Sequence, residues 1–227
     1  MGINVRALAG QAAVAFLVFA LALFLPAGTI DWLPGWIYLV MSSGFSCALA
    51  LWMFKHDPGL LRERMTGFNS AQYLWDKIFV YLLCHFLVAW QIIMQLDVVR
   101  FQLSHMPEWL QISGALVLLG SFYLFYRTFR ENPYLSPVVR IQKDRGQTVI
   151  TTGPYHYIRH PMYSDFALYV LGTALLLGSW YGLIFGFIII GMLAWRAVME
   201  ERTLRKELKG YDAYMSRVKY RLIPYIS

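Results

Sequence analysis

PMYSDFALYVLGTALLLGSWYGLIFGFIIIGMLAWRAVM, residues Pro161 to Met199, carries only two charged side chains, Asp165 and Arg196. A membrane-crossing helix needs roughly 20 mostly apolar residues. The stretch is long enough for two, and its one break is Leu177-Gly-Ser-Trp180. Gly178 and Ser179 suit a tight turn, and Trp180 with Tyr181 suits the bilayer boundary where aromatic belts gather. The reading is a helical hairpin whose first arm is short.

Working outward, four more apolar runs precede the hairpin, at about Ala7–Leu25, Leu33–Phe54, Ile78–Leu96 and Trp109–Tyr126. The first is too long for a signal-peptide core and lacks a small-residue cleavage site, so it reads as an uncleaved span. The composition agrees: 58% of the 227 residues are hydrophobic and 15% charged, against about 45–50% and about 25% in soluble domains. The expected fold is an all-α integral membrane protein with about six transmembrane helices. It reads as one membrane domain over 1–227, with four spans in 1–127 and a loop, the hairpin and a tail in 128–227. Gly182 and Gly186 read as hairpin packing, Gln91 and His85 as packing or interhelical hydrogen-bonding groups, and Cys47 and Cys84 as small buried hydrophobes without a disulfide.

Charge sets the topology. With both termini in the cytoplasm, the inner segments hold Arg6, then the group from Lys55 to Lys77, the group from Arg127 to Arg159, and the group from Arg196 to Arg221. Of the 20 Lys and Arg, only Arg100 falls outside. Such a split follows the positive-inside rule and favours an even number of spans. The net charge of +7 therefore points to anionic membrane lipid rather than to nucleic acid.

Two inner segments stand out. Tyr126 to Pro161 is longer than most connections, and such loops are functional or disordered. Its apolar, β-prone pieces Val138-Val-Arg-Ile and Thr148-Val-Ile-Thr argue for order. The tail ends in Lys219-Tyr-Arg-Leu-Ile-Pro224, too apolar to hang free, and is expected to fold back on the loop.

Candidate chemistry gathers at this end. Gly153-Pro-Tyr-His-Tyr-Ile-Arg-His-Pro-Met-Tyr163 crowds aromatic, cationic and imidazole groups at the mouth of a span. Pro161 marks a helix start, whose free N–H groups attract anions. Interfacial anchoring by Tyr157, Arg159 and Tyr163 is the alternative. Arg196 sits one turn before Glu200, so the two share a helix face. An arginine inside an apolar run marks a functional position or snorkels to the interface. No Cys/His set has metal-ligand spacing, and neither a G-x-G-x-x-G nor a Walker pattern is present.

Thr151-Thr152-Gly153, Tyr155, Arg159-His160-Pro161-x-Tyr163, Glu200-Glu201 and Gly210-Tyr211-x-x-Tyr214, with Val138-Val139 upstream, resemble the isoprenylcysteine carboxyl methyltransferase family of membrane enzymes. The resemblance runs from about Asn132 to Pro224. Asp57-Pro-Gly-Leu-Leu-Arg-Glu-Arg64 is similar to its bacterial branch, which implies a bacterial inner membrane. The resemblance implies S-adenosyl-L-methionine as cofactor, held by Gln147, Thr148, Val149, Ile150, Tyr155, His160, Pro161, Met162, Tyr163 and Glu200. It implies that Arg196 contacts the acceptor, as the substrate-binding and catalytic residue. Arg140 stands where animal members carry a cofactor-contacting Gln.

The implied reaction is methylation of a lipophilic acceptor drawn from the bilayer, a carboxylate of the isoprenylcysteine type. A phospholipid amine or a small-molecule thiol is the alternative on the same scaffold. A transporter is the non-enzyme alternative, but it would carry ionisable or helix-breaking residues near mid-membrane in several spans. A carboxylate acceptor is already ionised, so positioning and water exclusion carry the reaction and no strong base is required.

Overall fold

The structure, a computed structural model, describes residues 5–66 and 73–226. Eight α-helices follow in order: α1 (Val5–Ala27), α2 (Leu33–His56), α3 (Pro58–Thr66), α4 (Leu74–Gln95), α5 (Glu108–Glu131), α6 (Pro161–Leu177), α7 (Trp180–Glu207) and α8 (Tyr211–Arg217). A π-helical turn, Leu96–Arg100, prolongs α4. Five helices are long and apolar enough to cross a membrane, and α6 is a shorter apolar one. The chain is an all-α integral membrane protein, with the short-armed hairpin where the sequence places it.

Gly178 turns that hairpin with φ +83°, a left-handed conformation that a β-carbon disfavours. Ser179 caps α7 by accepting the Gly182 N–H at 2.8 Å. The same hydroxyl donates to Asp97 Oδ2, which also accepts from Ser104 Oγ at 2.7 Å. Asp97 is buried, so the π turn and the hairpin turn are tied by hydrogen bonds in an apolar setting. Gly28, between α1 and α2, lies against the Arg100 guanidinium. These turns share one end of the bundle, with Arg100 among them.

Apolar burial does not drive helix association in lipid; close packing of small residues does. The most extensive pair, α5 and α6, follows that rule. A β-carbon on Gly114 would lie 2.3 Å from the Leu176 nitrogen, and one on Gly172 2.7 Å from the Leu118 nitrogen. Gly186 packs on Val170 of α6, as expected of a hairpin, but Gly182 packs on Met94 of α4. Trp90 Nε1 donates to the Gly182 carbonyl at 2.7 Å. Gln91 accepts from Tyr38 across to α2, whereas His85, among the described residues, bonds the Tyr81 carbonyl of its own helix. Both cysteines are exposed on the helix bundle rather than buried: α2 and α4 each turn an apolar face outward, where Cys47 and Cys84 sit.

At the opposite end lie α3, the 132–160 loop and the tail. The β-prone pieces of the loop form no strand; among the described residues the only bridge is Ile223 with Ile226. Side chains hold the loop instead. Arg140 pairs with Glu63 of α3 through two hydrogen bonds, at 2.8 and 2.9 Å. Gln142, fully buried, donates its side-chain amide to the Tyr134 carbonyl and its backbone N–H to Gln147 Oε1. The tail folds back as expected, since the N–H groups of Arg159 and His160 donate to the carbonyls of Tyr220 and Arg221.

Candidate active site

A cavity opens where the loop, the start of α6, the end of α7 and α8 meet. Gln147, Thr148, Val149, Ile150, Tyr155, His160, Met162, Tyr163, Arg196 and Glu200 all line it. Of the residues that the resemblance implies as cofactor- or acceptor-binding, Pro161 alone is missing; it opens α6 and lines a neighbouring groove. Residues far apart in the chain therefore meet because three elements converge on one end of α7.

Adjacent glutamates divide the work. Successive helical residues point about 100° apart, so Glu201 turns to the tail and Glu200 to the cavity. Glu201 is buried and takes hydrogen bonds from Arg159 Nε at 2.6 Å and Arg221 Nε at 3.0 Å, with His160 Nε2 at 3.2 Å. Arg159 also donates to the carbonyls of Val218 and Lys219. Arg159 and Tyr163 are therefore buried connectors rather than interfacial anchors, and only Tyr157 is exposed. Glu200 is less enclosed. Tyr163 Oη donates to it at 2.6 Å and His160 Nδ1 lies 3.7 Å away. No arginine or lysine among the described residues comes within 4.0 Å of it.

Arg196 is 5% exposed, which rules out snorkelling. Nor is its guanidinium a free fork. Its Nε donates to Asp76 Oδ1 at 3.1 Å and its Nη2 to the Pro137 carbonyl at 2.9 Å. Phe79 and Tyr163 flank it with ring centroids 5.3 and 5.8 Å away. Only Nη1 forms no hydrogen bond within the described residues. Asp76, at 0% exposure, also accepts the Val139 N–H at 2.6 Å through Oδ2. One carboxylate thus joins α4, α7 and the cavity-lining loop.

The sequence reading missed Asp76, although an acid at the edge of an apolar run was a usable signal. It also missed Asn132, which donates to Tyr155 Oη at 2.8 Å. Tyr211 and Tyr214 line the cavity as well. The Tyr214 hydroxyl donates to the Tyr155 carbonyl, while the Tyr211 hydroxyl is buried with no partner. Burial, and then the negative charge of Glu200, pushes the Tyr155 and Tyr211 phenols above their ordinary range. Both stay neutral and able to donate. Arg140 lines the cavity but is bound to Glu63. No group of three or more His, Cys, Asp or Glu among the described residues is placed to hold a metal ion.

A bundle of membrane-length helices with a polar, tyrosine-rich cavity at one end defines a multi-pass membrane protein. Residues 109–209 match the sequence model of the phospholipid methyltransferase family. A protein-S-isoprenylcysteine O-methyltransferase of Schizosaccharomyces pombe is 31% identical over 102 residues, covering 44% of this chain and 43% of that protein. This C-terminal stretch, less than half of the chain, is thus similar to membrane methyltransferases of the phospholipid and isoprenylcysteine types. The matched stretch contains the loop, α6 and α7, which line most of the cavity; α8, with Tyr211 and Tyr214, lies beyond it.

Proposed function

We propose that the chain is a membrane methyltransferase that uses S-adenosyl-L-methionine and methylates a lipophilic acceptor from the bilayer. The observation that carries this reading is Glu200: a carboxylate facing the cavity with a tyrosine hydroxyl as its close partner and no arginine or lysine among the described residues within 4.0 Å, Arg196 one turn earlier being bound to Asp76. A partly enclosed carboxylate calls for a cation, and the cofactor is one. The residues present fit it. Glu200 would face its positive groups, the unpartnered Tyr211 hydroxyl is free to donate, and Val149, Leu204 and Leu208 offer apolar surface. The backbone of 148–150, unpaired in any sheet, leaves N–H and carbonyl groups open to a ligand, while the Gln147 N–H is taken by the Gln142 carbonyl. Bound there, the cofactor supplies a methyl group on a positively charged sulfur.

The chain's own residues position and shield. Tyr163, held by Glu200 and stacked on His160, forms a wall between the cavity and the apolar surface outside. Arg196 lines the cavity and its Nη1 forms no hydrogen bond within the described residues, and a guanidinium N–H can hold one oxygen of an acceptor carboxylate. We infer a carboxylate of the isoprenylcysteine type, supported by the family and by this donor. One finding favours a second reading, methylation of a phospholipid amine: Asp76 already neutralises Arg196, so the site offers an anionic acceptor little net positive charge. An amine must lose a proton, and His160 and Glu200 lie beside the site to receive it.

Calorimetry on detergent-purified protein should show cofactor binding, weakened at least about tenfold (~1.4 kcal/mol) by Glu200→Gln. Folded wild-type protein that binds none would refute the assignment. With labelled cofactor and native lipid extract, label released by mild base identifies an ester, and label that resists it identifies an amine.

A further inference from the structure

A second hollow lies along the first two-thirds of α6. It runs as a trough alongside α6, between α5 and α7. Leu168 and Leu171 line it from α6, Leu124 from α5, and Phe187 and Ile190 from α7. Tyr163 separates this trough from the polar cavity: it is buried, borders both, and its hydroxyl is held by Glu200.

The trough does not end in apolar surface. His156, Tyr157 and Pro224 line both it and a smaller hollow that adds Arg217 and Lys219. Both cations are exposed, neither forms an ion pair among the described residues, and no Asp or Glu lines that hollow. Beside them the tail makes a tight turn, closed by the Ile226 N–H on the Ile223 carbonyl. Tyr225 takes φ +69° in this turn, a conformation bulky residues seldom adopt. The result is an outward tip of Ile223, Tyr225 and Ile226, with Tyr225 87% exposed. Apolar tips flanked by unpaired cations sit in the headgroup layer of anionic membranes.

We propose that the trough and its rim form a binding site for one anionic glycerophospholipid, with an acyl chain along α6 and the phosphate at Arg217 and Lys219. The occupant follows from charge complementarity: a basic rim without acids at the headgroup end, and a mostly apolar floor running inward from it, whose one acid, Asp165, is buried and accepts a hydrogen bond from Thr128. A zwitterionic headgroup would bring a second cation against that rim. The site is independent of the methyltransferase reading, since it uses neither Glu200 nor Arg196.

The test uses the full chain, delipidated in detergent and titrated with phosphatidylglycerol or phosphatidylcholine of the same acyl composition. Native mass spectrometry counts bound lipid, and circular dichroism confirms the fold of each variant. One phosphatidylglycerol should bind at least about tenfold more tightly than phosphatidylcholine. That preference should vanish in the double variant Arg217→Glu, Lys219→Glu, and Leu168→Trp, which fills the trough, should displace both lipids. Equal affinity for the two lipids, or wild-type phosphatidylglycerol binding by the double variant, would overturn the proposal. So would a lipid-free dimer that Leu168→Trp dissociates, because the trough would then belong to a second copy of the chain.

Discussion

Arg196 and Asp76 pair deep inside the protein, one fully buried and the other nearly so. Removing one partner of such a pair leaves an uncompensated charge and costs about 3–5 kcal/mol, whereas neutralising both is often tolerated. Arg196→Ala alone therefore confounds stability with chemistry. The double variant Arg196→Gln, Asp76→Asn separates them. It should unfold close to the wild-type temperature and keep its cofactor affinity within about threefold. Its turnover on a carboxylate acceptor should fall at least about tenfold, because the charged donor at Nη1 is gone. A purely structural pair would recover turnover together with stability in that variant. Arg196→Lys should not rescue turnover either, since lysine keeps the charge but cannot serve Asp76, Pro137 and an acceptor in three directions at once.

At the scale of elements, the α5–α6 contact positions the site, because α6 begins with the cavity residues and α5 leads into the loop. Gly172 is where the two backbones approach. Gly172→Ala would drive a β-carbon to 2.7 Å from the Leu118 nitrogen, and backbone cannot yield as a side-chain tip can. The expected loss is about 1–3 kcal/mol of stability, read as a lower unfolding temperature in detergent. Gly120→Ala on α5, where nothing lies within 4 Å, should be neutral. The π turn is a second device of this kind. Asp97→Ala deletes the acceptor for Ser104 and Ser179, and the unpaired hydroxyls should cost about 1–3 kcal/mol.

For the whole molecule, the ends of the bundle differ in charge as the sequence leads one to expect. Arg100 lies at one end, against Gly28, while Glu63–Arg140, Glu201–Arg159 and the basic tail lie at the other. We infer that the cation-rich end, with both termini, faces the cytoplasm. In a background with Cys47 and Cys84 replaced by serine, an impermeant maleimide applied to intact cells should label His105→Cys and miss Ser216→Cys. Both positions are exposed, and labelling of Ser216→Cys would reverse the orientation.

Hydrophobic run length, charge placement and a few breaking residues were enough to define the spans, the hairpin turn at Gly178 and the end of the bundle where the polar cavity lies. These properties are local: a 20-residue apolar run must cross or be buried, whatever else the chain contains. The helix-face rule likewise put Arg196 and Glu200 together. What each side chain meets across the bundle is not local. That Asp76 holds Arg196 and Val139, that Glu201 knots the tail while Glu200 faces the cavity, and that Asp97 ties two turns together depend on helices from distant parts of the chain coming into register. Buried charges and hydroxyls must find partners in lipid, and only the tertiary packing decides which partners are within reach.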